Sequence, residues 1–298
     1  MPLPNRNLTS IMVRREGDEI LFDCGEGMQM SLKSMHIRWK NLKVVCISHS
    51  HADHVTGLPG LLMLSSQANR QEPLLIICPL SVKKYIESSR EHLGMYINYE
   101  INYVILDDIT HPIVYEDEKK EYCIKAFEGE HTRNVWFFIL EEYKRAGKFY
   151  PEKARALHIP EGVLWADLQR GNTIHFDGKT IEANAVIGEA RQGRKIAYVT
   201  DTRPLHSIEK EIANADMVFC ESMFQHIHYE QAVEKKHMTS VEAAQMLKNA
   251  GGIKRAGLIH VSPRYIHKDL KVLEKEANSV FDKVFLCRDR DIVNVPYC

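Results

Sequence analysis

The chain of 298 residues, 44% hydrophobic and 27% charged, has the length for one large α/β domain or two small ones, with a composition ordinary for a globular protein. It has no apolar run long enough to cross a bilayer, its opening MPLPNRNLTS lacks the apolar core of a signal peptide, and its seven scattered cysteines include no CxxC pair, which points to reduced thiols in a cytoplasmic protein and against a disulfide framework. A formal net charge of −1 gives no global attraction to nucleic acid, so such a partner would be held by local patches; fifteen histidines are the one compositional oddity.

In chain order, short apolar, β-branched runs alternate with helical patterns, which predicts an α/β architecture. EILFDCG (19–25) reads as a strand and turn, LKVVCISHS (42–50) as a buried strand, and GLPGLLMLSSQ (57–67) as a helix. PLLIICP is again a strand, followed by the amphipathic SVKKYIESSREHLG; YCIKAFEGEH and VWFFILEE read as adjacent strands across a short loop. From Tyr143 to Ile187 the chain is polar, basic in its first half and broken by Pro and Gly. We read it as an insertion with a small structure of its own, not as a second core-bearing domain. Strand signals return in KIAYVTDT, ADMVFCES, RAGLIHVS and KVFLCRDR. TSVEAAQMLKNAGG opens with Thr239 and Glu242 at capping-box spacing and closes on paired glycines, so the backbone of His237, just ahead of that cap, is expected to be well fixed.

The stretch SHSHADH holds His49, His51, Asp53 and His54 at the exit of an apolar strand. An extended strand end aims residues two apart to one side, so His49 and His51 can share a cation, while Asp53 and His54 follow where the chain turns into a helix and can serve a neighbour. Imidazole nitrogen and carboxylate oxygen both suit zinc. Further donors stand at other strand exits: His131 after AFEGE, Asp201 ending AYVTD and His260 ending AGLIH, the edge of an α/β sheet where sites gather. Five imidazoles and two carboxylates suffice for two metal ions with one bridging ligand. His226 and His228 in FQHIHYEQ also alternate, but they lack a following D-H and read as loop residues.

These motifs resemble the metallo-β-lactamase superfamily and, within it, the ribonuclease Z family of tRNA 3′-processing endonucleases. PLPNRNLTS, LFDCGEGMQ, SHSHADHVTGLPGLL, EHT, AYVTDTRP, HMTS and HVSPRY occur in that family's order across the whole chain. The resemblance implies one domain spanning 1–298, an αβ/βα sandwich of two mixed sheets with helices outside, with a tRNA-binding arm inserted at about 144–186. It implies a zinc-dependent endoribonuclease that removes the 3′ trailer from precursor tRNA and leaves a 3′-hydroxyl. His49, His51 and His131 would hold one ion and Asp53, His54 and His260 the other, with Asp201 bridging. Asp53 would also orient the attacking water and take its proton, Glu221 and His237 would form a proton-donating pair, and Asp23 would support a ligand histidine. Two zinc ions per subunit are expected, although the donor set suits manganese or iron as well. The family likeness further implies a homodimer.

Lys144, Arg145, Lys148, Lys153 and Arg155 give the inserted segment the charge a phosphate backbone requires, which suits recognition of RNA by shape. Lys33 to Lys43 form a second basic stretch, with Trp39 amid it, and Arg264 beside His260 is a candidate phosphate contact. Three features depart from the family pattern. Its members begin with another strand and a glycine-rich turn ahead of PLPNRN, so either the start of this chain is misplaced or truncated, or a missing first strand leaves a sheet edge unpaired. IPEGVLW stands where the arm has a Gly-Pro step. CESMF replaces His-Glu-Ala, keeping Glu221 with Cys220 beside it. The competing reading is a hydrolase of small phosphodiesters or thioesters on the same fold; a non-catalytic module would have no need of the complete donor set.

Overall fold

The computed structural model describes residues 2–3, 6–37, 39, 41–266 and 268–297. Arg38 and Lys40 of the basic stretch, and Cys298, lie outside the described residues. The chain divides into two compact units: 1–115, 124–140 and 195–295 form one, and 116–123, 141–194 and 296–298 the other.

The first unit begins with a hairpin. β1 (Ile11–Arg15) and β2 (Asp18–Phe22) run antiparallel with Ile11 opposite Phe22, across Glu16 and Gly17, both at positive φ as a tight right-twisted turn requires. α1 (Met28–Ser34), β3 (Leu42–Cys46), α2 (Ala52–Val55), α3 (Leu58–Gln67), β4 (Leu74–Cys78), α4 (Leu80–His92) and β5 (Ile101–Ile105) follow. The sheet order is β1-β2-β3-β4-β5, parallel from β2 onward. The runs LKVVC and LLIIC are apolar almost throughout because both faces of these strands are covered. On one face Val45 and Ile76 pack with Leu32 of α1, Leu58 and Leu61 of α3, and Val82 and Ile86 of α4.

A second sheet takes β6 (Ile113–Glu116), β7 (Tyr122–Glu128) and β8 (Trp136–Glu142). The intervening segment contributes α5 (Pro151–Ala156), α6 (Val163–Gln169) and the hairpin of β9 (Ile174–Phe176) with β10 (Lys179–Ile181). Then come β11 (Lys195–Val199), α7 (His206–Ile212), β12 (Met217–Glu221), α8 (Tyr229–Glu234), α9 (Ser240–Ala250), β13 (Ala256–Ile259), α10 (Lys268–Val280) and β14 (Val284–Leu286). The order is β14-β13-β12-β11-β8-β7-β6, with β11 to β14 parallel. Helices α7, α9 and α10 cover its outer face through Ile208, Ala244, Leu247 and Leu273. Between the sheets Phe22 of β2 stacks on Phe138 of β8 and Tyr198 of β11, with ring centroids 5.8 and 5.6 Å apart. The result is helix, sheet, sheet, helix.

The second unit buries Ala154, Ile159, Leu168, Ile174 and Val186 against one another. The sequence reading assigned this segment no core; its apolar residues are spread thinly enough among polar ones that no period shows. Tyr297 lies under the guanidinium groups of Arg145 and Arg194, 3.4 and 3.8 Å from its ring centre, and Arg194 pairs with buried Glu142.

Candidate metal centre

Every donor side chain anticipated at a strand exit sits at one. β3 ends at Cys46, and His51, in extended backbone (φ −68°, ψ 144°), opens the single turn of α2 that carries Asp53 and His54. The loops after β2 and α2 touch backbone to backbone: Cys24 N–H donates to His54 O, and a side chain at Gly57 would collide with Gly25 O, so glycine is required there. Asp23, Asp201 and His260 all hold left-handed backbone (φ 54°, 38° and 54°) where the chain turns off β2, β11 and β13. Such positions cost roughly 1–3 kcal/mol each and gather where a site needs them.

The donor atoms of His49, His51, His131 and Asp201 lie within 4.8 Å of one another, as do those of Asp53, His54 and His260. His51 Nδ1 is 2.9 Å from His49 Nε2 and 3.2 Å from His131 Nε2. Asp201 stands between the two groups. Its Oδ2 is 3.5 Å from His49 and 3.7 Å from His131, while Oδ1 is 3.4 Å from His54 and 3.2 Å from His260. Asp53 Oδ2 is 3.3 Å from His260 and 3.7 Å from His54.

The hydrogen bonds behind these rings show that the donor set suits a cation. His131 Nδ1 can only donate to Lys236 O, at 3.0 Å, which leaves Nε2 as a bare lone pair facing inward. Ser48 Oγ gives its one proton to Asp23, so it accepts from His49 Nδ1 and leaves His49 Nε2 bare as well. His54 donates through Nδ1 to Asp23 at 2.6 Å. His260 Nδ1 is buried without an aligned hydrogen bond. Lone pairs and carboxylates converging in this way require positive charge between them, and outer partners that fix ring tautomers are the usual support of a metal site. Asp23 also accepts from Ser48 N–H and, across the sandwich, from the hydroxyl of fully buried Tyr198 at 2.6 Å.

The electrostatics agree. Burial, with His49 beside it, pulls His51 down to about 4, and burial likewise brings His131 to about 4 against the pull of Asp201, so both rings are neutral at physiological pH. Burial opposes charge on His54 too, but Asp201 and Asp23 outweigh it and hold this ring well above the usual histidine range. Burial would raise the two inner carboxyls; His260 and His54 instead hold Asp53 and Asp201 low.

Beside the cluster, fully buried Glu221 ends β12 and accepts from His237 Nδ1 at 3.1 Å, Thr202 N–H at 2.6 Å and Met238 N–H at 3.2 Å. Burial lowers the pKa of His237, and Glu221 more than reverses it, so the ring sits above its ordinary value. The expected capping box forms at Thr239 and Glu242, immediately after His237. His51, Asp53, His131, Asp201, His237 and His260 face an open cavity of about 330 Å³.

Other anticipated residues are not among those that line this cavity. Arg264 donates to Gln231 at 2.6 Å and covers Phe224. His226 and His228 form a 3₁₀ turn and bond to Thr239 and Tyr265. Of the basic residues of the insertion, Lys144, Lys148 and Lys153 are exposed, Arg155 pairs with Glu161 at 2.8 Å, and Arg145 is stacked on Tyr297. Sequence reasoning missed Ser48, Tyr198 and the Lys236 carbonyl. Only the φ of 53° at Lys236 marks that turn, and no residue-type pattern signals it.

A sandwich of this layering with His and Asp donors at one strand edge has the metallo-β-lactamase fold. The metallo-β-lactamase fold protein YhfI from Bacillus subtilis superposes with a TM-score of 0.64 (18% identity, 97% of this chain, 92% of that one), and the short form of human tRNase Z with 0.69 (22% identity, 99% and 95%). The family model described as Anti-Pycsar protein Apyc1 matches residues 5–135. Ribonuclease Z of Treponema denticola is 50% identical over 299 residues, covering 100% of this chain and 95% of the relative. The chain belongs to the ribonuclease Z family.

Proposed function

We propose that this protein is a metal-dependent endoribonuclease that removes the 3′ trailer from precursor tRNA by hydrolysing one phosphodiester, leaving a 3′-hydroxyl on the tRNA. The observation that carries the reading is the 50% identity to a ribonuclease Z along the full chain. The donor clusters give it a chemical basis. His49, His51 and His131 would hold one zinc ion and Asp53, His54 and His260 a second, with Asp201 shared between them. When bound, the pair of ions would supply a nucleophile at neutral pH and neutralise the phosphoryl oxygens.

The chain's own residues provide the proton traffic. Asp53, held ionised and half-exposed at the cavity, orients the attacking water and takes its proton. His237 keeps a proton because Glu221 sits against its far nitrogen, and it delivers that proton to the departing 3′-oxygen. A positioned acid of this kind contributes about 10²–10⁴-fold. Lys144, Lys148 and Lys153 contact the RNA backbone, with Arg145 and Arg155 already engaged within their own unit. Arg264 would add a phosphate contact by exchanging its bond to Gln231 for one to the RNA. No helix among the described residues is long and apolar enough to cross a membrane; we take the protein to be a cytoplasmic homodimer with a single catalytic domain and an inserted arm at about 144–186.

The test is cleavage of a 3′-extended precursor tRNA by the purified, metal-analysed protein, with the cut site mapped. A cut at the trailer junction supports the reading. Hydrolysis of bis(p-nitrophenyl) phosphate with the precursor left intact would instead favour a hydrolase of small esters.

A further inference from the structure

We infer that Arg203 is a positioning residue for proton donation: it acts through His237, without touching substrate. The inference rests on the reading of Glu221 and His237 as the proton-donating pair. Arg203 follows Asp201 by two positions, yet its side chain turns away from the cavity and is not among the groups that line it. One guanidinium nitrogen donates to the backbone carbonyl of His237, and the other donates to Glu242 of the capping box. The side chains of Arg203 and Glu242 are each only 13% exposed, so this pairing is shielded from water.

His237 is thereby held at three points. Its N–H donates to Ala232 O at 2.8 Å, its ring nitrogen meets Glu221, and its carbonyl receives Arg203. The neighbouring peptide completes the frame, because Thr202 N–H donates to the same Glu221 oxygen that His237 contacts. One dipeptide, Thr202–Arg203, thus fixes the carboxylate through its backbone and the imidazole through its side chain. It also anchors the loop that carries His131, since Glu130 N–H donates to Thr202 Oγ1 at 2.9 Å and Arg203 N–H to Glu130 O at 3.0 Å. The planar guanidinium meets the carbonyl and the carboxylate through separate nitrogens, a geometry that the single ammonium of a lysine does not reproduce, although Glu242 would keep its bonds from Thr239.

A misplacement of about 1 Å in a reacting group costs on the order of 100-fold in rate. The experiment therefore compares two leaving groups. The ribose 3′-oxygen requires a proton, whereas p-nitrophenolate departs without one. Arg203→Met is expected to lower kcat on precursor tRNA about 100-fold with little change in KM, and to lower bis(p-nitrophenyl) phosphate hydrolysis by far less, with unchanged metal content and circular dichroism. Arg203→Lys should recover part of the loss, which keeps the test open if the methionine variant folds poorly. The Arg203→Met/His237→Ala double variant should be no slower than His237→Ala alone, because both act on one proton transfer. In metal-free protein, the His237 imidazole cross-peak should shift or multiply in Arg203→Met. Equal losses on both substrates, multiplicative losses in the double variant, or an unchanged kcat on tRNA would each overturn the role of Arg203. Should His237→Ala itself slow both substrates equally, the proton-donor reading fails first, and this inference with it.

Discussion

The donor cluster and the basic segment between Glu141 and Arg194 treat charge in opposite ways. Around His49 the ionisable groups are buried or half-buried and aimed at one another, and His49, His54 and His131 are held by hydrogen bonds from behind, an arrangement that suits a cation. In the other unit Lys144, Lys148 and Lys153 stand exposed on a small scaffold. Where a basic side chain there does find a partner, as Arg155 finds Glu161, it gives up some of its reach. A centre that binds ions must be pre-organised to a fraction of an ångström; a surface that follows a phosphate backbone needs charge density and can tolerate motion.

The contrast predicts a graded series of effects. At the rigid extreme, Asp201→Ala removes the carboxylate that faces both donor groups; cleavage of precursor tRNA should fall by about 10⁴-fold or more, several kcal/mol of lost charge stabilisation, with a measurable loss of bound metal. One step out, Asp23→Asn should weaken metal affinity by about 10–100-fold in chelator competition, and Tyr198→Phe by less, because each loosens the orientation of His54. Protons probe the same centre. Since Asp201 and Asp23 keep His54 protonated above the usual range despite its burial, a metal must displace that proton. Apparent affinity should therefore rise with pH, about tenfold per unit where one proton competes, and flatten above the pKa of His54; calorimetry in buffers of different ionisation enthalpy would detect the released proton. A pH-independent affinity would show that the ring is not charged.

In the segment between Glu141 and Arg194, the combined substitution of Lys144, Lys148 and Lys153 by alanine should raise KM for precursor tRNA about tenfold and lower the salt slope of binding by about one per lost contact, leaving bis(p-nitrophenyl) phosphate hydrolysis alone. The smallest effect is expected from Arg155→Ala: an exposed pair is worth at most about 1 kcal/mol, and KM should move by less than about threefold. If Arg155→Ala proved as damaging as the triple variant, the division between the exposed lysines and the ion-paired Arg155 would be wrong.

Much of the centre was legible in the sequence because metal ligands are few in type and strand exits are easy to find. His49, His51, Asp53 and His54 announce themselves by spacing, and His131, Asp201 and His260 by ending apolar runs. The capping box could likewise be read from Thr239 and Glu242. The supporting shell could not. Tyr198 looks like one more apolar position of KIAYV, and only the apposition of two sheets brings its hydroxyl to Asp23. Lys236 acts through a carbonyl that every residue possesses. Arg145 was read as an available charge, and only tertiary structure brings Tyr297 beneath it. The buried cluster around Leu168 follows no helix or strand period, because its members come from short elements joined by loops.

Asp23 gathers protons from Ser48, His54 and Tyr198, and so fastens the first sheet to the second with the same two oxygens that steady the ion site. Architecture and chemistry share a keystone. No substitution there can spare one while sacrificing the other, so the thermal midpoint of the unit that holds Asp23 should climb with metal concentration.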